Sequence, residues 1–265
     1  MSILLHQKNA LSGEGVFVQP EPGVWANTQA SESLLDPSFR EIVHFFAGAW
    51  YRAFGESLHT VRTGEAAFSR AFGSEWWAWL EEHPAEQERF DRAMHGDTHV
   101  DAVAALAWGD ETVVDVGGGT GALLIGLLQR HERLRGVLFD RERTADAARA
   151  LVAEAGLADR LRVEAGDFFE RVPPGDVHVL SGVLHDWDDE PAAAILRRLG
   201  DRVLIVEGVL DEQAPEPEFA WFDLLMLVLL RGRERTETQW RELLAAAGYR
   251  LERVHDGGVI EAVRA

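Results

Sequence analysis

The sequence predicts an α/β protein: a largely parallel sheet that ends in an antiparallel hairpin, preceded by a mainly helical region. Three observations carry this expectation. Between Thr112 and Gly208 short apolar runs alternate with helical segments, the pattern of a parallel sheet covered on both faces. The last seventeen residues alternate around Asp256-Gly257-Gly258, which reads as a hairpin and brings in antiparallel strands. The first hundred residues carry Phe, Trp and Met at helical spacing. Two regions follow, 1–100 and 101–265, with enough apolar residues (46%) for a substantial core.

In chain order, "GVFVQPEPGVWANT" alternates around Pro-Glu-Pro-Gly and predicts a β-hairpin. "SFREIVHFFAGAWYRAF" and "AFSRAFGSEWWAWLEEHPAEQERFDRAMHG" predict helices whose aromatics pack in a core. "TVVDV", "GVLFD", "LRVEA", "VHVLS" and "RVLIVEG" are the predicted parallel strands. A final helix should start at Thr236, with Gln239 completing a capping box, and stop at Gly248.

Composition excludes several functions. Forty-five acidic against 26 basic side chains give a net charge of −19, which repels nucleic acid and anionic lipid. Cysteine is absent, so disulfides, thiolate metal sites and thiol nucleophiles are too. Lys8 is the only lysine, which removes a phosphate-loop G-K-[ST], a Schiff base and a Tyr/Lys dehydrogenase pair; the only tyrosines are Tyr51 and Tyr249. No apolar segment reaches spanning length and the start does not read as a signal sequence, so a cytoplasmic address is expected.

The most informative stretch is "TVVDVGGGTGALL", Thr112 to Leu124, a glycine turn between a strand and a helix. Such a turn offers backbone N–H groups, a positive helix end and close approach to a ligand. Gly117, Gly119 and Ala122 satisfy a loose dinucleotide fingerprint, whereas Asp115, Gly117, Gly119 and Gly121 satisfy the acid-x-Gly-x-Gly-x-Gly pattern of class I S-adenosylmethionine (SAM) methyltransferases. A carboxylate just ahead of the glycines suits an ammonium group better than a pyrophosphate. Asp140, at the end of the second strand, suits ribose hydroxyls under either reading. Asp167 and Phe168 after the third strand suit an adenine, one by hydrogen bonding and the other by packing, although a strand-end Asp also forms turns.

With "VLSGVLHDWDDEPAAAILRRL" the chain resembles the SAM-dependent O-methyltransferases of the caffeic-acid and polyketide type. "VVDVGGGTG", "LFD", "GDFF", "VLIVEGVL" and "FDLLMLVLLRGRERT" match in the same order, covering nearly everything from Glu65 onward. The resemblance implies a Rossmann-like sheet preceded by a shortened winged-helix and dimerisation region, of which the first hairpin is the remnant. It implies a SAM cofactor leaving as S-adenosylhomocysteine, held by Asp115, Gly117, Gly119, Gly121, Asp140, Asp167, Phe168 and Ser181, with Thr98 a weaker candidate. It implies His185 as base with Glu207 and Glu234 beside it, and Met94, Trp187, Met226 and Leu230 around an aromatic acceptor. A homodimer is the implied assembly, and relatives with this motif need no metal, although the "HDWDDE" cluster has ligand types for one.

The chemistry limits what a lone histidine achieves. A phenol titrates near ~10 and His near ~6.5, so complete proton transfer is uphill by roughly 4.8 kcal/mol. Glu207 and Glu234 are therefore expected to stabilise the imidazolium and orient its ring. The other nine histidines read as polar surface residues, and Asp188, Asp189, Glu190 and Pro191 as a helix start. Other readings stay open: an offshoot that binds SAM for decarboxylation, hydroxylation or rearrangement, a non-catalytic partner of a full-length paralogue, and a nicotinamide oxidoreductase.

Overall fold

The computed structural model describes residues 10–94, 99–214 and 217–265. The first hairpin forms as expected, β1 (Phe17–Glu21) against β2 (Val24–Asn27), with Gly23 at φ 83° making the turn. A helical region follows: α1 (Gln29–Glu32), α2 (Pro37–Ala47), α3 (Ala49–Phe54), α4 (Ser57–Thr63), α5 (Ala67–Phe72), α6 (Trp76–Glu82) and α7 (Pro84–Met94). Asp36 starts α2 by accepting from the Ser38 and Phe39 N–H groups at 2.7 and 3.0 Å, and Pro37 fits the first turn. Each long helical stretch read from sequence is broken at punctuating residues: Gly48 separates α2 from α3, Gly73 ends α5, and Pro84 opens α7.

The remainder alternates strand and helix. After α8 (Val100–Ala104) come β3 (Thr112–Val116), α9 (Ala122–Arg130), β4 (Arg135–Asp140), α10 (Glu142–Glu154), β5 (Leu161–Ala165), β6 (Val177–Ser181), α11 (Asp189–Leu196) and β7 (Arg202–Val206). A short parallel pair, β8 (Val209–Leu210) and β9 (Arg235–Thr236), brackets α12 (Pro217–Leu230), before α13 (Glu237–Ala246), β10 (Tyr249–His255) and β11 (Val259–Arg264).

The main sheet has seven strands in the order β10-β11-β7-β6-β3-β4-β5, parallel from β7 to β5, with β11 antiparallel to β7 and to β10. Strand order reverses between β3 and β6, the place where open α/β sheets bind ligands beyond their strand ends. The five parallel strands, the terminal hairpin and the Thr236–Gln239 capping box are as the sequence predicts.

Both sheet faces are dry: Leu124, Leu127, Leu128 and Val152 cover one, and Ile195, Leu196, Trp240 and Leu244 the other. A third cluster lies in the helical region, where Phe45, Trp50, Phe68, Trp76, Trp79 and Leu80 pack together. Helix α12, from the other half of the sequence, joins this third cluster through Leu225, Met226, Val228 and Leu229. The helical region is thus closed by a helix inserted between β8 and β9.

Candidate active site

The glycine turn leaves β3 at the reversal point. Gly117, Gly119 and Gly121 have φ of 69°, 58° and 91°, values that L side chains rarely adopt, so glycine is required by the backbone itself. Gly117 N–H donates to the Phe139 carbonyl at 2.8 Å, and Gly119 N–H to the Asp140 carboxylate at 2.8 Å, so β4 holds the turn from beside it. Asp140 also accepts from the Arg141 N–H at 2.7 Å. Burial raises its pKa above the ordinary carboxylate range in spite of these bonds.

Asp115 lies beneath the turn. It is 0% exposed, and among the described residues neither carboxylate oxygen has a hydrogen-bond partner. Burial, with Asp140 adding repulsion, pushes it up to about 7. A buried carboxylate with nothing to bond is costly unless a cationic ligand completes it. Gly118, which the sequence reading passed over, makes this placement feasible: a Cβ there would lie 2.5 Å from the Asp115 Cγ and overlap Leu138.

Phe168 stands beside the turn, 3.8 Å from the point a Gly117 Cβ would occupy. Asp167 accepts from the Phe169 N–H at 2.7 Å, so it does form a turn, as a strand-end Asp commonly does. Trp187, expected around the acceptor, packs edge-on against Phe169 at 4.8 Å and Phe168 at 6.1 Å. That places its ring on the predicted purine side. Its indole N–H is buried without a partner among the described residues. Ser181 is half-buried at the end of β6, and Thr98 lies outside the described residues.

His185 sits in a single 3₁₀ turn, Leu184–Asp186, directly after β6. Val183, just before it, would touch a Cβ on Gly117 at 2.9 Å, so this turn rests on the glycine turn. Glu234 Oε1 is 2.8 Å from His185 Nδ1, leaving Nε2 as the outward nitrogen. Glu207 departs from expectation. Its Oε1 accepts from the Val183 and Leu184 N–H groups at 3.0 and 2.6 Å, so it holds the backbone of the turn and acts on the imidazole only through space. Asp186, unassigned from sequence, places a carboxylate oxygen 3.6 Å from Nε2.

These acids alter the base. Burial disfavours imidazolium, but the Glu234 hydrogen bond and the charges of Glu207, Asp186 and Glu234 outweigh it and raise His185 to about 10. Burial raises Asp186 to about 7 despite the nearby imidazolium. By favouring imidazolium, the same acids narrow the gap of about 3.5 units between an ordinary histidine and a phenol.

Comparison with known proteins decides the family. A family model described as the O-methyltransferase domain matches residues 51–250. The chain belongs to this O-methyltransferase family. It is 41% identical over 255 residues to phenazine O-methyltransferase PhzM of Lysobacter antibioticus, covering 91% of this chain and 74% of that protein. It is 41% identical over 221 residues to the mitomycin biosynthesis 6-O-methyltransferase of Streptomyces lavendulae, covering 79% of this chain and 63% of that one. It is also similar to the crystal structure of NcsB1 from neocarzinostatin biosynthesis, with TM-score 0.86 and 32% identity over all of this chain and 85% of that one. NcsB1 was solved in complex with S-adenosyl-L-homocysteine and 1,4-dihydroxy-2-naphthoic acid.

This methyltransferase brings its predicted donor and base residues together at one sheet end; the acceptor-lining set is less compact. Met226 and Leu230 lie on α12, in and against the helical cluster, and Met94, at the end of α7, is 47% exposed. The donor set fits SAM at its most diagnostic point, where the buried and unpartnered carboxylate of Asp115 suits an ammonium. Among the described residues no group of three or more metal-ligating side chains could hold a metal ion, and no helix is long and apolar enough to cross a membrane.

One histidine differs from the sequence reading. His178 is 2% exposed inside β6, not on the surface. Nε2 faces the Pro173 carbonyl at 3.0 Å and Nδ1 accepts from the Gly200 N–H at 3.2 Å. A neutral ring satisfied at both nitrogens is compatible with a core, and its place inside the apolar run 177–180 of a strand covered on both faces is the sequence signal for it.

Proposed function

We propose that this chain transfers the methyl group of SAM to a hydroxyl of an aromatic or polyketide-type small molecule in secondary metabolism, with His185 as general base. The observation that carries the assignment is the 2.8 Å contact of Glu234 with His185 Nδ1, in a turn that rests on the glycine loop. SAM, when bound, supplies a methyl group on a cationic sulfur. Asp115 takes the ammonium end, Asp140 the ribose, and Phe168 and Trp187 enclose the purine. Glu207 holds the 183–184 backbone so that Val183 and His185 keep their places over the glycine turn. Glu234 fixes the imidazole tautomer with Nε2 toward the acceptor oxygen, and its charge stabilises the imidazolium formed when Nε2 of the neutral form of the ring takes the phenolic proton. Holding oxygen and methyl in line supplies the remaining acceleration.

Residues 101–265 are read as the donor-binding half, and 1–100 with α12 as the acceptor lid and dimerisation region. The net charge of −19 supports a small-molecule acceptor over nucleic acid. The exposed Leu35, Phe39, Val43, Leu58 and Val61 support a homodimer, and a cytoplasmic enzyme is the simplest setting. The 36% identity to 8-amino-8-demethylriboflavin N,N-dimethyltransferase of Streptomyces davaonensis makes an aryl amine the second acceptor type to examine.

The test is a mass shift of one methyl across a panel of phenols and aryl amines, with wild type and His185→Ala. The variant should lose about 10²–10⁴-fold in turnover on phenols while SAM affinity stays within about threefold. Undiminished turnover at neutral pH would remove His185 as base and leave positioning as the mechanism.

A further inference from the structure

Beside the acid that holds the base lies a cation buried without a role so far. Arg235 is 0% exposed, the only Arg or Lys so enclosed among the described residues. It opens β9 directly after Glu234, and the two side chains reach different parts of one turn. Glu234 meets the ring of His185. Arg235 meets the backbone on both sides of it: Nη1 donates to the Leu184 carbonyl at 3.0 Å and Nη2 to the Trp187 carbonyl at 2.8 Å. Nε and Nη2 also reach Asp189 Oδ1 at 3.0 and 2.9 Å.

The two carbonyls bracket His185 and Asp186. A 3₁₀ turn this short has few internal bonds and little rigidity of its own. Here its ends are fixed from outside by one planar group whose donors have set directions. Neighbouring contacts act in the same sense: Arg233 N–H donates to the His185 carbonyl at 2.9 Å, and a Cβ on Gly232 would overlap that same carbonyl. Asp223, on α12, accepts from the Glu234 N–H at 2.9 Å.

We propose that Arg235 is a positioning residue for methyl transfer: its guanidinium fork spans the Leu184 and Trp187 carbonyls and so keeps His185 Nδ1 on Glu234 and Nε2 toward the acceptor. Charge alone does not meet this requirement, since a lysine ammonium lacks the fork. The competing role is a plain fold staple, because the guanidinium also lies over Trp240, 5.2 Å from the ring centroid, and so ties β9 to α13.

The inference rests on His185 being the base, and the experiment separates the two. Arg235→Lys and Asp189→Asn are made in the full chain, with 1,4-dihydroxy-2-naphthoic acid as probe phenol. SAM affinity is read by calorimetry, and the His185 ring titration by nitrogen-detected NMR. Arg235→Lys should lower kcat about 10–100-fold with SAM affinity within about threefold, and His185 should titrate closer to its ordinary range as the Glu234 contact loosens. Asp189→Asn, which keeps both carbonyl bonds, should lose only about two- to fivefold in kcat, with a smaller shift of the same sign.

A wild-type kcat and unmoved His185 titration in Arg235→Lys overturn the proposal. So does a parallel fall of kcat, SAM affinity and melting temperature, which assigns the staple. Should Arg235→Lys not fold, Arg235→Gln, whose amide can meet only one of the two carbonyls, takes its place, and an unmoved His185 titration there overturns the proposal. If the wild type does not methylate the probe, the NMR titration alone decides. Full activity in His185→Ala removes the base instead, while the effect of Arg235 on the ring titration stands.

Discussion

The sheet end and the helical region solve opposite problems with their buried groups. At the sheet end Asp115 and one oxygen of Glu207 are enclosed with no polar partner among the described residues, and burial raises both carboxylates. In the helical region rings meet rings: Trp76 packs edge-on to Phe45, Phe68 and Phe90 at 5.7, 5.1 and 5.6 Å and stacks on Trp79 at 5.7 Å. One region is left electrostatically incomplete so that a charged ligand can complete it; in the other, ring packs on ring and the buried atoms unpartnered among the described residues, the Trp50 and Trp77 indole N–H groups and the Thr60 hydroxyl, are neutral. The lesson is that ligand chemistry belongs to the first region, and that the second contributes shape.

The sharpest way to break this division is to damage the helical cluster and watch the donor site. Trp76 is 2% exposed at the centre of that cluster, so Trp76→Ala should cost about 3–5 kcal/mol of stability and depress turnover. SAM affinity, set at the sheet end, should change less than about threefold. Thermal melting and calorimetry check both. An equal fall in SAM affinity shows that the regions are not separable, and Arg141 is where that coupling would pass. Its backbone N–H donates to Asp140, while its side chain pairs with Glu81 at 3.0 Å and lies over Trp77 at 4.9 Å.

The same contrast explains what could be read from sequence. Gly117, Gly119, Gly121 and the capping box at Thr236 are local: their spacing fixes backbone geometry within a few residues, and the pattern survives in one dimension. Asp223 and Arg235 acquire their roles only when separate segments meet. Arg235 in "RERT" looks like any surface charge, and only the approach of the 184–189 turn buries it. Glu207 was legible as a site residue but not as a backbone ligand, because the two N–H groups it meets lie 23 and 24 positions away. In the helical region the aromatic spacing signals a core, yet nothing local says that α12, more than a hundred residues on, completes it.

A smaller effect tests the incomplete carboxylate itself. Gly118→Ala forces a methyl against Asp115 Cγ at 2.5 Å, so the carboxylate must move from under the turn. With the Asp115 carboxylate displaced, SAM binding should weaken about 10–100-fold, while the overpacking itself costs the ligand-free protein about 1–3 kcal/mol of stability, a melting temperature lower by several degrees. Calorimetry with SAM is the measurement. Unaltered affinity would mean that Asp115 does not receive the ammonium, and the ligand logic of the sheet end would need another residue.

The smallest expected effect sets the incomplete carboxylates against a buried polar group in the same sheet that is fully satisfied. His178 donates to and accepts from backbone at its two nitrogens, and burial holds its pKa below the ordinary value. Its neutral form is the native one, so stability is full above the unfolded pKa near ~6.5 and is lost as pH falls through that value, since only the unfolded chain then takes up the proton. Between pH 7.5 and 5.5 the loss is at most about 1.4 kcal/mol, one proton's worth over one pH unit. Asp115, Asp140 and Glu207 act with the opposite sign: their raised pKa values mean that the native state holds protons longer, which favours folding as pH falls. Urea melts of wild type and His178→Gln at the two pH values isolate the histidine, because glutamine keeps a donor and an acceptor but does not titrate. The wild type should lose more than the variant on acidification, by at most about 1.4 kcal/mol, and equal losses would show that His178 takes up its proton in the native core as readily as in the unfolded chain.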